Sequence, residues 1–160
     1  MRSGAHGFAL LELLIVLALG TLLTVAAIWQ VRPLADRLTL QGAATHLLGE
    51  IREAQARALA ERDPGRAYGI EFPPDGQRYI TFVQAGGVRS LRREERLHQR
   101  VRITYARFGG VPSAVVFTGV SFLGAPSGGG TVSLSAGGAL LCVRVQPATG
   151  RARIENAGCP

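Results

Sequence analysis

The stretch that decides the fold is GFALLELLIVLAL, residues 7–19. It opens a run from Phe8 to Val31 in which Glu12 is the one ionisable side chain. As a helix this run would span about 36 Å, more than the roughly 30 Å of a bilayer's hydrocarbon core. Residues 8–31 are therefore predicted to form a transmembrane helix.

Glu12 needs an explanation because a carboxylate inside a membrane costs on the order of 3 kcal/mol. The run offers no basic side chain as a partner. A cut between Gly7 and Phe8 would create an α-amino group four residues before Glu12. In a bundle of such helices, the amine of one subunit could then neutralise the glutamate of a neighbour.

This pattern resembles the class III signal of type IV prepilins and type II secretion pseudopilins. The matching residues are Gly7 before the cut, Phe8 after it, Glu12 at the fifth mature position and the Leu-rich run 10–23. Ala9 departs from the family pattern, in which Thr is frequent. The resemblance implies that residues 1–7 are a leader peptide, which a membrane prepilin peptidase removes before it N-methylates Phe8.

Two other interpretations of the N-terminus fit less well. A secretory signal peptide has a shorter apolar region of roughly 7–15 residues, followed by small residues at its cleavage site. The run in this chain is longer, and Gly7 precedes it. A plain single-span anchor would leave the buried carboxylate of Glu12 without a purpose.

The chain is strongly basic, with a formal net charge of +7 and no lysine among its cationic residues. The excess favours either an acidic partner, such as DNA or anionic lipid, or a solvated basic surface shaped partly by codon usage. Arginine is concentrated in residues 89–107, where Glu94 and Glu95 interrupt it. That segment is either a phosphate-binding stripe or, as we prefer, a solvated strand face or loop.

Residues 32–62 are predicted to continue the helix beyond the membrane, with Pro33 kinking it or starting its second half. The helix should end at the stop signal Asp63-Pro64-Gly65. The following apolar residues recur at near-helical spacing and should pack on a sheet: Leu34, Leu38, Ala44, Leu47, Leu48, Ile51, Ala54, Ala58 and Leu59.

Residues 63–160 change to a two-residue period and predict an antiparallel sheet head. Residues 68–72 and 79–83 form a β-hairpin around the turn 73–76, and residues 84–90 are expected to be a loop. Further strands are predicted at 101–105, 114–117 and 131–135, with a turn region from Ser121-Phe122 and a final hairpin of 140–146 with 151–154. The fold class is α+β, a pilin-like fold in which a long N-terminal helix packs on one antiparallel sheet.

Cys142 and Cys159 are the two cysteines. They have no second pair and no His cluster to make a zinc site, so no metal is implied. The predicted topology places the head outside the cytoplasmic membrane, where disulfides form. A Cys142–Cys159 disulfide that pins the last strand is the prediction, and two free structural thiols are the alternative.

The C-terminal third resembles the GspH/FimT branch of the family. The residues that carry this looser resemblance are Phe117, Gly119, Gly130-Thr131, Val132, Leu134, Val143, Val145, Thr149-Gly150-Arg151 and Arg153-Ile154. It implies a minor pseudopilin of a type II secretion system, at or near the pseudopilus tip. The implied partners are the prepilin peptidase, other pilins and the inner membrane, in which the protein is a single-pass subunit with an extracytoplasmic head.

The alternative function is a FimT-type minor pilin that binds DNA during natural transformation. In that branch the resemblance implies a basic Gly-Arg-x-Arg element, which reads Gly150-Arg151-Ala152-Arg153 in this chain. Strand alternation would place Arg151 and Arg153 on one face, within reach of neighbouring phosphates. An enzyme is not expected, because His46 and His98 lack a nucleophile or acid pair at motif spacing, and no cofactor is implied.

Overall fold

The structure, a computed structural model, describes residues 5–109, 111, 113–120, 124–156 and 158–159, with backbone alone for residues 5–10 and 26–30. The chain divides into two compact units, Met1–Ala35 and Asp36–Pro160. Helix α1 (Ala5–Glu61) contributes to both units and contains Pro33. Pro33 therefore lies inside one continuous helix.

The second unit contains eight strands among the described residues, and their paired neighbours are all antiparallel. They form two four-stranded sheets, sheet A in the order β3-β2-β1-β5 and sheet B in the order β4-β6-β7-β8. The strands are β1 (Arg66–Glu71), β2 (Arg78–Ala85), β3 (Val88–Arg96), β4 (Arg102–Phe108), β5 (Ala114–Thr118), β6 (Gly130–Ala136), β7 (Ala139–Val145) and β8 (Ala152–Glu155).

Two sheets, rather than the predicted single one, cover the part of α1 that belongs to the second unit. Hydrophobic periodicity identifies a strand but not its partner, because pairing depends on residues distant in sequence. One core joins the helix residues Leu40, Leu47 and Ile51 to the inner faces of both sheets. Sheet A contributes Ile70, Val115 and Phe117, and sheet B contributes Val132, Leu134 and Val143.

The buried stripe of α1 differs from the predicted one at its N-terminal end. Leu40 is buried and joins the core, whereas Leu34 and Leu38 are largely exposed. A helix turns about 100° per residue, so Leu40, Ala44, Leu47 and Ile51 share one face and Leu38 lies on the opposite side. Leu59, also predicted to lie in the core, is partly exposed.

The predicted hairpins form, with one correction. β1 pairs with β2, and β7 pairs with β8. Residues 84–90, expected to be a loop, instead contain the end of β2, a turn and the start of β3. The turn is Gly86-Gly87, and both glycines have positive φ, the backbone that a tight two-residue hairpin requires. The predicted turn at Ser121-Phe122 lies outside the described residues.

Candidate assembly helix and basic face of the head

The first candidate site is the N-terminal part of α1, which contains Gly7, Phe8 and Glu12. Glu12 is exposed, and no ion pair to it occurs among the described residues. Its large apolar neighbours are half or more exposed in the isolated chain: Leu11, Leu13, Leu14, Ile15, Val16, Leu17, Leu19, Leu22, Leu23 and Val25. A helix that is apolar on all sides needs a covering of lipid or of other helices.

Two threonine hydroxyls of this segment are satisfied within the helix. The hydroxyls of Thr21 and Thr24 donate to the carbonyls of Ala18 and Gly20, each at 2.8 Å. These bonds let the hydroxyls lie in apolar surroundings without an unmade hydrogen bond. Among the described residues, no helix is both long and apolar enough to meet the criterion for a membrane span. The transmembrane assignment of residues 8–31 stays a prediction.

The second candidate site is the outer face of sheet B. Strand register aligns Arg107 of β4 with Thr131 of β6, Thr131 with Arg144 of β7, and Arg144 with Arg153 of β8. Directly opposed residues share a face, so these four side chains form one row across the whole sheet. We call Arg107, Arg144 and Arg153 the arginine row.

The predicted Arg151 and Arg153 pair lies at the end of this row. Both side chains are exposed and flank the buried Ala152. Arg151 directly precedes β8, in a turn closed by hydrogen bonds from the amides of Gln146 and Gly150 to the carbonyls of Arg151 and Gln146. Gly150 has a φ of 67° there, and a Cβ would approach the Gln55 amide to 2.6 Å. Glycine is therefore required at this position.

Among the described residues, one carboxylate forms ion pairs with the arginine row. Glu155 Oε1 lies 2.6 Å from Arg153 Nε, and its Oε2 lies 3.4 Å from Arg144 Nη1. No ion pair to Arg107 or Arg151 occurs within the described part of the chain. The face therefore carries more positive than negative charge, and two of its arginines share a single counter-charge.

An open groove of about 480 Å³ runs along this face. Arg107, Thr131 and Arg144 line it, together with Tyr105, the glycines 109, 129 and 130, and the tail residues Gly158 and Cys159. The tail is held by the Cys142–Cys159 disulfide, which confirms the predicted pairing. The disulfide thus fixes one wall of the groove.

The arginine-rich segment of sheet A is arranged differently. Arg78 pairs with Asp75 and Glu94, Arg89 with Glu71, Arg93 with Glu95 and Arg100 with Asp36, at 2.6–3.2 Å. The Arg89 guanidinium also lies 4.1 Å from the ring centre of Phe82. Of the seven arginines in residues 89–107, Arg89, Arg93, Arg96 and Arg100 therefore have a carboxylate partner among the described residues, as in a solvated strand face.

Arg107, Arg144 and Glu155 are the residues of this face that sequence reasoning missed. β4 and β6 are separated by β5, which belongs to the other sheet. No local pattern indicates that Arg107 lies two strands from Arg144. The alternation of Arg153 and Glu155 is visible in the sequence and could have indicated their shared face.

Comparisons with known proteins agree with this structure. The family model for the prokaryotic N-terminal methylation motif matches residues 2–28. A search of curated proteins finds no match. Among solved structures, the type IV minor pilin FimU of Pseudomonas aeruginosa PAO1 is similar, with a TM-score of 0.57 and 20% identity over 77% of this chain and 92% of that one. This likeness shows a pilin fold, a long helix packed on antiparallel strands.

Proposed function

We propose that this chain, a minor pilin or pseudopilin by its N-terminal motif and its fold, is a GspH-like minor pseudopilin of a type II secretion system. Pilin-like subunits are structural and catalyse no reaction. The observation that carries the pilin-type assembly is Glu12, an exposed carboxylate in an apolar helix four residues after Phe8, and the secretion role is supported by the looser resemblance of the C-terminal third to the GspH/FimT branch. Such a group is useful only where a second subunit supplies the opposite charge.

Each segment of the chain has a proposed role in processing and assembly. Residues 1–7 are the leader, residues 8–31 anchor the chain in the inner membrane and later form the filament core, residues 32–62 extend the helix, and residues 63–160 form the head on the extracytoplasmic side. Prepilin peptidase cleaves after Gly7 and methylates the new amine of Phe8. The disulfide supports an oxidising location for the head.

The test of the proposal is Glu12→Gln in the full chain. We expect the variant to be cleaved and methylated like the parent protein, because Glu12 is not at the cut bond. We also expect it to be lost from isolated filaments, because the next subunit's amine has no carboxylate to meet. Glu53→Gln, a control on an exposed helix residue that pairs with Arg57, should assemble normally.

The readouts are the mass of the mature chain and its amount in sheared filaments. Normal incorporation of Glu12→Gln would remove the role proposed for Glu12. Deleting the gene and measuring export of secreted proteins and uptake of DNA in parallel would separate the secretion function from the alternative below.

A second candidate function is DNA binding, as in FimT-type minor pilins of natural transformation. The exposed Arg151 and Arg153, which continue into Arg144 and Arg107 across sheet B, favour it. A run of guanidinium groups on one face suits the repeated charges of a phosphate backbone. The functional groups of this proposal are Arg151 and Arg153.

The second function is tested by titrating the full chain in non-ionic detergent with a short duplex DNA at several salt concentrations. We expect binding that weakens with salt and is lost in the Arg151→Ala, Arg153→Ala double variant. The matched control is Arg92→Ala, Arg96→Ala, which removes the same charge from sheet A. Equal losses in both double variants would indicate diffuse attraction to a basic protein and contradict a site.

A further inference from the structure

Glu155 lies where an anion bound to the arginine row would lie. Arg144 and Arg153 are direct cross-strand partners, and Glu155 is two residues beyond Arg153 on the same strand. Its two carboxylate oxygens contact one guanidinium each, at 3.4 and 2.6 Å. The carboxylate therefore bridges the two central charges of the face in the way that a bound phosphate would bridge them.

We propose that Glu155 is a built-in competitor that holds Arg144 and Arg153 in the absence of DNA and must release them when DNA phosphates bind. The inference rests on the DNA-binding function proposed above. It enlarges the binding element from Arg151 and Arg153 to the whole arginine row. It also assigns Glu155 the role of limiting the affinity of that row.

The exposure of these side chains allows such an exchange. The side chains of Arg144 and Arg153 are 43% and 52% exposed, so both guanidiniums can turn toward a ligand without unfolding the sheet. An ion pair this close to solvent is worth only about 0–1 kcal/mol, which an incoming phosphate can replace. The pair therefore lowers affinity without closing the site.

Arg107 extends the surface beyond the reach of Glu155. It lies two strands from Arg144, with the hydroxyl-bearing Thr131 between them in the row. Adjacent strands are about 4.8 Å apart, which places Arg107 roughly 10 Å from Arg144 along the row. Arg107 can therefore reach a different phosphate of one DNA molecule from the one that Arg144 and Arg153 bridge.

The test compares Glu155→Gln with Glu94→Gln in the full chain, using the same duplex DNA. Glu94 is a matched control because it also bridges two arginines, Arg78 and Arg96, but on sheet A. Both substitutions raise the net charge by the same amount. We expect Glu155→Gln to bind the duplex about two- to fivefold more tightly than the parent protein does, because DNA no longer has to displace Glu155 from Arg144 and Arg153.

A second variant tests the row from the opposite direction. Thr131→Glu places a new carboxylate between Arg107 and Arg144 and should weaken DNA binding, whereas Ser90→Glu on the exposed strand β3 should change it little. This variant keeps the inference testable even if Glu155→Gln does not fold, which thermal unfolding would reveal.

The outcomes separate the two proposals. Binding that depends on Arg151 and Arg153 but is unchanged in folded Glu155→Gln would overturn the role of Glu155 and leave DNA binding intact. Equal gains in Glu155→Gln and Glu94→Gln would also overturn it, since net charge alone would explain them. Absence of binding in the parent, Glu155→Gln and Glu94→Gln proteins alike would overturn both proposals.

Discussion

Gln55 of helix α1 donates from its Nε2 to the carbonyl of Thr149 at 2.9 Å, across 94 residues of sequence. The same amide donates to the carbonyl of Gly124 at 3.0 Å. One helix side chain thus holds the turn between β7 and β8 and a second loop beside it. Because Arg151 follows this turn directly, Gln55 positions the end of the basic face.

We expect Gln55→Ala to destabilise the head by about 1–3 kcal/mol, because two part-buried carbonyls lose their donor. Thermal or urea unfolding measures the change. Gln41→Ala, at an exposed site on the same helix, should be nearly neutral, since alanine is a good helix former. Equal losses of stability in the two variants would show that the hydrogen bonds of the Gln55 amide do not stabilise the head.

Two glycines should respond in opposite ways to alanine. A Cβ on Gly69 would lie 2.8 Å from both Phe82 Cε1 and the carbonyl oxygen of Val115, and overpacking of this kind costs about 1–3 kcal/mol. A Cβ on Gly49 meets nothing within 4 Å, and alanine favours a helix over glycine by about 0.5–1 kcal/mol. Gly69→Ala should therefore lower the free energy of unfolding and Gly49→Ala should raise it. A Gly69→Ala protein as stable as its parent would contradict the close packing of Phe82 on β1.

Removing the disulfide should destabilise the chain. The bond joins residues separated by 17 positions, and a loop of that size contributes about 3 kcal/mol by constraining the unfolded chain. Reductant should lower the midpoint of thermal unfolding of the parent protein. Cys159→Ser should unfold at the lower midpoint from the start and respond little to reductant. A parent protein insensitive to reductant would count against this contribution.

Tyr79 makes stability sensitive to alkaline pH. Burial raises the pKa of its phenol above the ordinary value of 10.0, and the carboxylates of Glu50 and Glu95 act in the same direction. The folded state thus favours the neutral phenol. Its contribution is fully present below about pH 10 and is lost as the pH rises above the pKa of the unfolded chain.

Tyr79→Phe should therefore make the fall in stability above pH 10 shallower. At neutral pH the variant should be less stable by about 1 kcal/mol, because the phenol's 2.7 Å hydrogen bond with His46 Nδ1 is lost. Denaturant unfolding at neutral and alkaline pH measures both the loss of stability at neutral pH and the dependence of stability on alkaline pH. Since burial also raises the pKa of Tyr68, some alkaline sensitivity should remain. An unchanged pH dependence would contradict the burial of an ionisable phenol at this position.

Local patterns are sufficient for the N-terminal motif and for most of the elements. The helix, its end near Asp63 and the hairpins of β1 with β2 and β7 with β8 follow from side-chain period and turn residues, because these features depend on neighbours in sequence. The strand β3 escapes sequence reasoning because its residues are mostly Arg and Glu and carry no apolar period. Its backbone hydrogen bonds with β2 make it a strand although its own sequence does not indicate one.

The sequence by itself therefore determined the pilin-like helix with its lone Glu12, the antiparallel head and the cysteine pair. Only the tertiary structure decided that the eight strands of the described residues divide into two sheets, and that Arg107, Arg144 and Arg153 align across one of them with Glu155 between two of the charges. The physical reason is register. A one-residue shift between paired strands would turn each of these side chains to the opposite face, and that choice is made by the shared core rather than by any local pattern.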